Sequence, residues 1–314
     1  MKILHIGDIA FISYSLCQEL QSRGIETTLL SKKKLDFNQT KNKNWILSSK
    51  NKIDELKLCN VDLKTFDVIH SHYLLNLGSI ALAVQNPKKP IILHAHGCDT
   101  RPISFIHKLV QRFVASKAKV LLYSTPDLKK NMEWFKGEKI YLPNPIDIPS
   151  DKPETKKHKN KILIFTTLYK IKEIEKIFLE VENLNFNFDI IDDGPDADYY
   201  KGIAPANISF IKPFKKDDVN QELLKYQLII GGSQDGTIRV CELESMALGI
   251  PTLFPFAYND SYAEPLPMPE TNEENILKCF GDYDLGEKQK IWVSKYHATE
   301  ISVNKLLNIY SKYQ

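Results

Sequence analysis

Two stretches of the chain hold residue types that could do chemistry together. The first is Gly231 to Pro251, GGSQDGTIRVCELESMALGIP. An apolar run ends at Ile230, a loop rich in Gly, Ser and Asp follows, and a helical pattern begins near Cys241–Glu242 and closes at Gly249-Ile250-Pro251. Free N–H groups of such a loop and helix start favour anionic ligands, phosphates in particular. Glu242 and Glu244 fall in the first helical turn, where the plain reading is that they balance the helix dipole. The second stretch is a pair of alternations, His70-Ser71-His72 and His94-Ala95-His96. Alternate residues of a strand share a face, so each pair could converge at a strand end. With Asp8 and Asp99 near by in a sheet, a divalent metal hydrolase is one use of such a set. No C-x-x-C or H-E-x-x-H supports it, and strand-end histidines lining a polar cleft need no metal, so we expect no metal site and no cofactor. His5, His107 and His158 read as structural or exposed.

The elements that must hold these residues follow a repeated rhythm. Lys2–Ile6 is a short apolar run broken by Gly7-Asp8, Phe11–Arg23 has helical spacing stopped by Gly24, and Ile25–Leu30 is a second β-branched run. Strand, Gly turn, helix, strand is a βαβ unit and implies a parallel sheet covered by helices. Further runs stand at Val68–His70, Ile91–His94, Val120–Tyr123 and Lys139–Leu142. Lys33–Lys52 reads as a solvated loop with strand potential at Trp45–Leu47. Pro143–Lys161 is proline-rich and then basic, which marks a linker. The rhythm restarts at Ile162–Phe165, with Phe186–Ile191, Ile208–Ile211, Gln227–Ile230 and Pro251–Leu253 as strands, and Glu287–Tyr313 is amphipathic and helical. Ligands of such sheets sit beyond the carboxyl ends of the strands, so two of them place the site in the cleft between.

Composition agrees with that reading and narrows the class. The 314 residues are two domains' worth at about 150 each. Apolar residues make up 43% and charged residues 26%, which excludes a disordered or collagen-like chain. Against 39 acidic residues stand 42 basic ones, an excess too small to argue for nucleic acid. The 5 cysteines are scattered and form no close pair, as reduced thiols of a cytoplasmic protein would. No apolar run approaches a membrane span, and the opening MKILHIGD enters a strand directly, so we expect no signal peptide.

ELESMALGIP at Glu242–Pro251 resembles the signature Glu-Ala/Ser-Met-Ala-x-Gly-x-Pro of retaining GT-B glycosyltransferases of family 4, with Glu244 as the motif's final glutamate. Other segments are similar to that family in its own order: DVIHSHY (67–73), ILHAHGCDTR (92–101), YSTPDL (123–128), YLPNPID (141–147), TTLYKIK (166–172), DDGP (192–195) and KYHATE (295–300). The resemblance implies an α/β GT-B fold, two Rossmann-like domains with parallel sheets facing each other across a cleft. The N-terminal domain (1–150) would bind the acceptor and the C-terminal one (151–290) a nucleotide sugar, with the tail helix (291–314) packing back toward the first. It further implies a retaining, metal-independent glycosyltransferase acting on a glycan or lipid-linked acceptor. Glu244 would hold the donor's ribose hydroxyls, and Lys172 would stabilise the departing diphosphate. Gly236, Thr237 and Ile238 would offer backbone N–H groups to the donor, and His96 would face the donor sugar. Gly7, Asp8, His72, Asp99 and Arg101 would line the cleft on the acceptor side.

The chain departs from the pattern at three places. Gly236 stands where the family has its first glutamate, for which Asp235 or Glu242 could substitute. Thr167 replaces the diphosphate arginine, whose charge Lys170 or Arg239 could supply. The first glycine-rich loop is reduced to Gly7-Asp8. These losses leave a donor-binding pseudo-enzyme as one rival reading and the histidine-based metal hydrolase as another. A dinucleotide oxidoreductase is poorer, since no G-x-G-x-x-G follows the first strand. A basic face from Lys32–Lys34 and Ile106–Arg112 could touch anionic lipid carrying the acceptor, at the inner face of the membrane.

Overall fold

β-branched runs separated by helix-length segments can pair only in parallel, because each return to the same end of the sheet needs a crossover. The computed structural model describes residues 1–32, 44–97, 99–101, 104–150, 160–232 and 236–313, and it shows that arrangement twice. One compact unit is Met1–Pro145 with His297–Gln314, the other Ile146–Tyr296. The first therefore stops short of residue 150, because Ile146 and Ile148 pack into the second unit's cluster around Trp292 and Phe254.

In the first unit the strands are β1 (Lys2–Ile6), β2 (Glu26–Lys32), β3 (Ile46–Ser49), β4 (Val68–His72), β5 (Ile91–Ala95), β6 (Val120–Tyr123) and β7 (Glu138–Tyr141). They form one parallel sheet in the order β3-β2-β1-β4-β5-β6-β7. The crossover helices are α1 (Ile12–Ser22), α2 (Lys52–Leu56), α3 (Leu77–Gln85), α4 (Phe105–Ala115) and α5 (Leu128–Asn131). One sheet face is apolar, with Leu4, Ile6, Ile69, Leu93 and Leu121 packed against Leu82, Val114 and Leu128. The register sets His5 beside His70 and His72 beside His94, so by alternation the other face carries these imidazoles.

The second unit has β8 (Lys161–Phe165), β9 (Asn187–Ile191), β10 (Ile208–Ile211), β11 (Ile229–Gly231) and β12 (Thr252–Leu253), parallel in the order β10-β9-β8-β11-β12. Its helices are α6 (Ile174–Val181), α7 (Ala197–Ile203), α8 (Val219–Leu223), α9 (Val240–Ala247), α10 (Glu273–Cys279) and α11 (Tyr283–His297). Ile162, Ile164, Phe188, Ile190 and Ile230 make the centre of its core. The last helix, α12 (Thr299–Tyr313), belongs to the first unit. The single helix expected over Glu287–Tyr313 is thus two, divided at Ala298. No Gly or Pro marks the break. It follows His297, which is buried with Nδ1 2.9 Å from the Asn144 carbonyl oxygen.

One glycine fixes the loop that carries the expected diphosphate lysine. Gly194 has φ +134°, and a Cβ there would run into the backbone of Leu168. That backbone is held on both sides, Leu168 N donating to Asp193 O at 2.6 Å and Asp196 N to Leu168 O at 3.1 Å. Gly194→Ala is expected to destabilise the protein by about 2–4 kcal/mol. An unchanged denaturant midpoint would show that the loop yields freely.

Candidate functional site

In the second unit the chain leaves β11 and enters α9 at Val240, so only Glu242 lies in the first turn and Glu244 follows it. Arg239 is the cap. Its backbone N–H donates to Glu242 Oε2 at 2.8 Å, which closes a capping box. The other oxygen, Oε1, is buried without a hydrogen-bond partner, and Glu242 packs so tightly on Gly231 that no Cβ would fit there. Burial raises the Glu242 carboxyl, with Arg239 opposing. Glu244, also buried, takes the Lys216 ammonium as an ion-pair partner. Burial pushes the Cys241 thiol well up, and the charges of Glu242, Arg239, Glu244 and Lys172 all act on it. Those four expected residues thus lie near enough to Cys241 for their charges to reach its thiol. Thr237 and Ile238 are buried beside it. Gly236 has φ +66°, its carbonyl accepts from Ala257 N at 3.0 Å, and a Cβ would come within 2.6 Å of the Ala257 Cβ. Asp235 lies outside the described residues.

Lys172 donates to Thr166 Oγ1 at 3.2 Å and to Thr167 Oγ1. The hydroxyl that replaces the family's arginine thus brings no charge and steadies the lysine instead. Lys170 does not join them, since its ammonium sits 4.2 Å from the centroid of the Tyr199 ring. A cavity of about 220 Å³ opens beside Lys172, lined also by Lys176, Glu180, Gly231, Gly232 and Thr271. Lys176 went unread in the sequence; it stands four residues beyond Lys172, in α6, and borders the same cavity.

In the first unit a cavity of about 350 Å³ lies at the carboxyl ends of β1 and β4, lined by Gly7, Asp8, Glu55, His72, Tyr73 and Asn76 among others. Gly7, Asp8 and His72 meet here as expected; Asp99 and Arg101 do not line it. Asp99 is a buried bracket whose carboxylate accepts from Leu74 N, His96 N and Gly97 N at 2.9–3.1 Å. Arg101 pairs with Asp127 at 2.9 Å. Asp8 Oδ1 accepts from Ser13 N at 2.8 Å and Tyr14 N at 3.4 Å, capping α1, and burial raises its carboxyl to about 6. Glu55 and Asn76 carried no sequence signal beyond their types; Glu55 stands in α2 and Asn76 caps α3, and only the fold brings the two to this cavity.

His5, His70, His72 and His94 are fully buried and His96 stands at the edge of the set. Neighbouring rings lie close, stacked for His70–His72 and tilted for His94–His96, with centroids 4.1 Å apart in each pair. Burial holds all of them below the usual imidazole range, His5 and His96 at about 3. Among the described residues the trios His5-His70-His72 and His72-His94-His96 have the ligand count for a metal ion, with nitrogens within 4.8 Å. Neither Asp8 nor Asp99 is part of either trio.

This fold is shared with solved structures over nearly the whole chain. Sucrose-phosphate synthase from Thermosynechococcus elongatus matches with a TM-score of 0.72 at 11% identity, covering 99% of each chain. HepE of Anabaena, solved in complex with UDP, matches at 0.71 and 13% identity over 99% of this chain and 100% of that one. MnaA of S. aureus, a co-structure with UDP, gives 0.63 and 14% over 98% and 95%. The fold expected from the motifs, GT-B, is the fold found. No protein-family model and no curated protein matches the sequence.

The buried imidazoles make a pH prediction. Unfolded histidines bind a proton below about 6.5, whereas His5 and His96 stay neutral down to about 3 and His297 to about 4. Between those values the unfolded chain binds more protons, so stability falls as pH falls. Asp8 acts oppositely between about 4 and 6, but it is one group against several. Calorimetric midpoints should drop steadily from pH 6.5 to 4. A midpoint flat over that range would mean that the imidazoles protonate within the fold at no cost.

Proposed function

We propose that the chain is a glycosyltransferase that moves a sugar from a nucleotide-diphosphate sugar to a hydroxyl of a glycan or lipid-linked acceptor. The observation that carries this reading is that Lys172, Arg239, Glu242 and the buried Glu244 all lie near enough to Cys241 of α9 for their charges to act on its thiol. A buried carboxylate can accept from two vicinal hydroxyls, and in that role Glu244 would exchange its Lys216 partner for a ribose. Lys172 meets charge growing on the departing diphosphate, the part a metal ion plays elsewhere, so no obligatory metal is needed. Two solved proteins of the same fold hold UDP, which supports a nucleotide donor.

Retention is the stereochemical course we assign. Gly236 leaves no room for a side chain, so the position offers no carboxylate nucleophile. The bond from the anomeric carbon to the phosphate oxygen breaks, the acceptor oxygen bonds on the same face, and its proton passes to the departing phosphate.

No described helix is long and apolar enough to cross a membrane. α4 offers a surface contact instead. Phe105 is 74% and Ile106 71% exposed, and Leu109 and Phe113 continue the stripe at helical spacing, flanked by Lys108 and Arg112. An apolar stripe with basic flanks suits an anionic bilayer surface, which supports a location in the cytoplasm at the inner face of the membrane. Lys33 and Lys34, expected to add to this face, lie outside the described residues.

A thermal-shift panel of UDP-, GDP-, ADP- and TDP-sugars in EDTA tests the donor site. Ligand at about 100 times its dissociation constant adds roughly 2.7 kcal/mol, several degrees for a chain this long. One nucleotide class should shift the midpoint, Glu244→Ala should abolish that shift, and Lys172→Ala should lower turnover more than affinity. Silence from every donor would end the reading. For the surface contact, sedimentation with vesicles containing phosphatidylglycerol should carry the protein down, and Phe105→Ser with Ile106→Ser should leave it in the supernatant. Equal sedimentation of both proteins would remove α4 from the membrane.

A further inference from the structure

Alternation along one strand yields histidines in pairs, and a pair is too few to hold an ion against water. The register of the first sheet supplies a third ring. His72 of β4 stands directly across from His94 of β5, and His96 follows two residues beyond His94. One nitrogen of each ring lies within 4.8 Å of those of the other two. His72 Nδ1 and His96 Nε2 are 3.0 Å apart. Two nitrogens bound at about 2.0–2.1 Å to one tetrahedral zinc ion stand roughly 3.4 Å apart, so this pair needs only a small opening.

The third ring stands apart from ordinary partners. His94 is fully buried, and neither of its nitrogens has a hydrogen-bond partner. A neutral imidazole is a donor at one nitrogen and an acceptor at the other, and burying either unpaired is costly. His96 Nδ1 is buried and unpartnered as well. The Leu142 backbone lies beside His94 and the Asn144 side chain beside His96, yet neither closes a hydrogen bond of full geometry.

The other trio, His5-His70-His72, has less to offer an ion. Tyr310 Oη takes His70 Nδ1 at 2.6 Å and reaches His5 Nε2 at 3.5 Å, and all three rings are fully buried. His96 by contrast is only partly buried, and His72 also lines the cavity of about 350 Å³. Behind His72, its Nε2 lies 3.1 Å from His5 Nδ1, and the outer nitrogen of a metal-bound imidazole is usually held in this way. Three neutral nitrogens also select the ion. With neither thiolate nor carboxylate in the trio, Mg²⁺ and Ca²⁺ find no oxygen ligand, whereas imidazole suits zinc and its neighbours.

We propose that His72, His94 and His96 form a binding site for a divalent transition-metal ion of the zinc type, with His72 bound through Nδ1 and His96 through Nε2. Each ring keeps its one proton on the nitrogen away from the ion. The site lies wholly in the first unit. It does not rest on the function proposed above, in which Lys172 of the second unit meets the charge of the departing diphosphate.

The full chain, stripped with EDTA and dialysed, is titrated with Zn²⁺ alone and with Co²⁺ as a spectroscopic probe. One equivalent of Zn²⁺ should bind and raise the thermal midpoint. One equivalent of Co²⁺ should give the strong visible bands of four-coordinate cobalt, and Mg²⁺ should do neither. His94→Phe keeps a ring in the sheet without a ligand nitrogen. It should abolish the bands and weaken Zn²⁺ by more than the about 100-fold that an outer partner is worth. His70→Phe takes a ring from the other trio alone and should bind as the wild type does. A wild type that binds no equivalent of Zn²⁺ would overturn the proposal. So would a His94→Phe variant that binds normally, or a folded His70→Phe variant that loses the ion. If His94→Phe does not fold, His96→Ala at the edge of the set takes its place, and normal binding there counts equally against the site.

Discussion

A parallel sheet leaves neither face to water, and the first sheet here carries imidazoles on one of them. Everything else in that unit answers to this burden. Apolar side chains can be covered by any helix of the right width, but His5 and His70 need a polar atom at a set place. Tyr310 supplies it from the last helix of the chain, fully buried and bonded to His70. α12 is pinned along its length to suit, through Arg23 to Asn304 at 2.6 Å, Ser302 to the Pro143 carbonyl at 3.5 Å and Lys312 to Glu138 at 2.6 Å. The first sheet is thus finished only when the chain's last residues have arrived.

Strand positions were legible in the sequence because parallel strands are buried on both sides and read as unbroken apolar runs. Val120–Tyr123 and Ile208–Ile211 were found to the residue. The break at Ala298 was not legible, since the apolar period runs across it and its cause is a contact between His297 and distant Asn144. The same limit applies to the first cavity. Glu55 reaches it from α2 and Asn76 from the cap of α3, and no spacing rule reveals where those elements land. Asp99, chosen as a cleft residue, instead spends its carboxylate on three backbone N–H groups of its own loop and of Leu74.

The departures from the family pattern have physical counterparts. A glutamate at position 236 would collide with Ala257, so the glycine belongs to a loop that has closed against its neighbour. Thr167 gives up a charge and becomes a hydroxyl rest for the Lys172 ammonium. Glu242 keeps a carboxylate at the start of α9, but half of it is engaged as a helix cap. The basic residues that border the second unit's cavity are thus lysines, Lys172 and Lys176. Lys172 and Lys176 are point charges on flexible stems, without a guanidinium's fixed fork.

The carboxylate of Asp8 answers Ser13 N and Tyr14 N at the start of α1. In many α/β proteins that helix end is where a phosphate docks, because the backbone donors there are unclaimed. Here the chain has filled the berth with its own anion, and a second negative group would meet repulsion where it usually finds welcome. The cavity beside it, with Glu55 also in its lining, therefore selects against negative charge. What it admits must be a part of a molecule that carries no negative charge, with any phosphate left trailing outside.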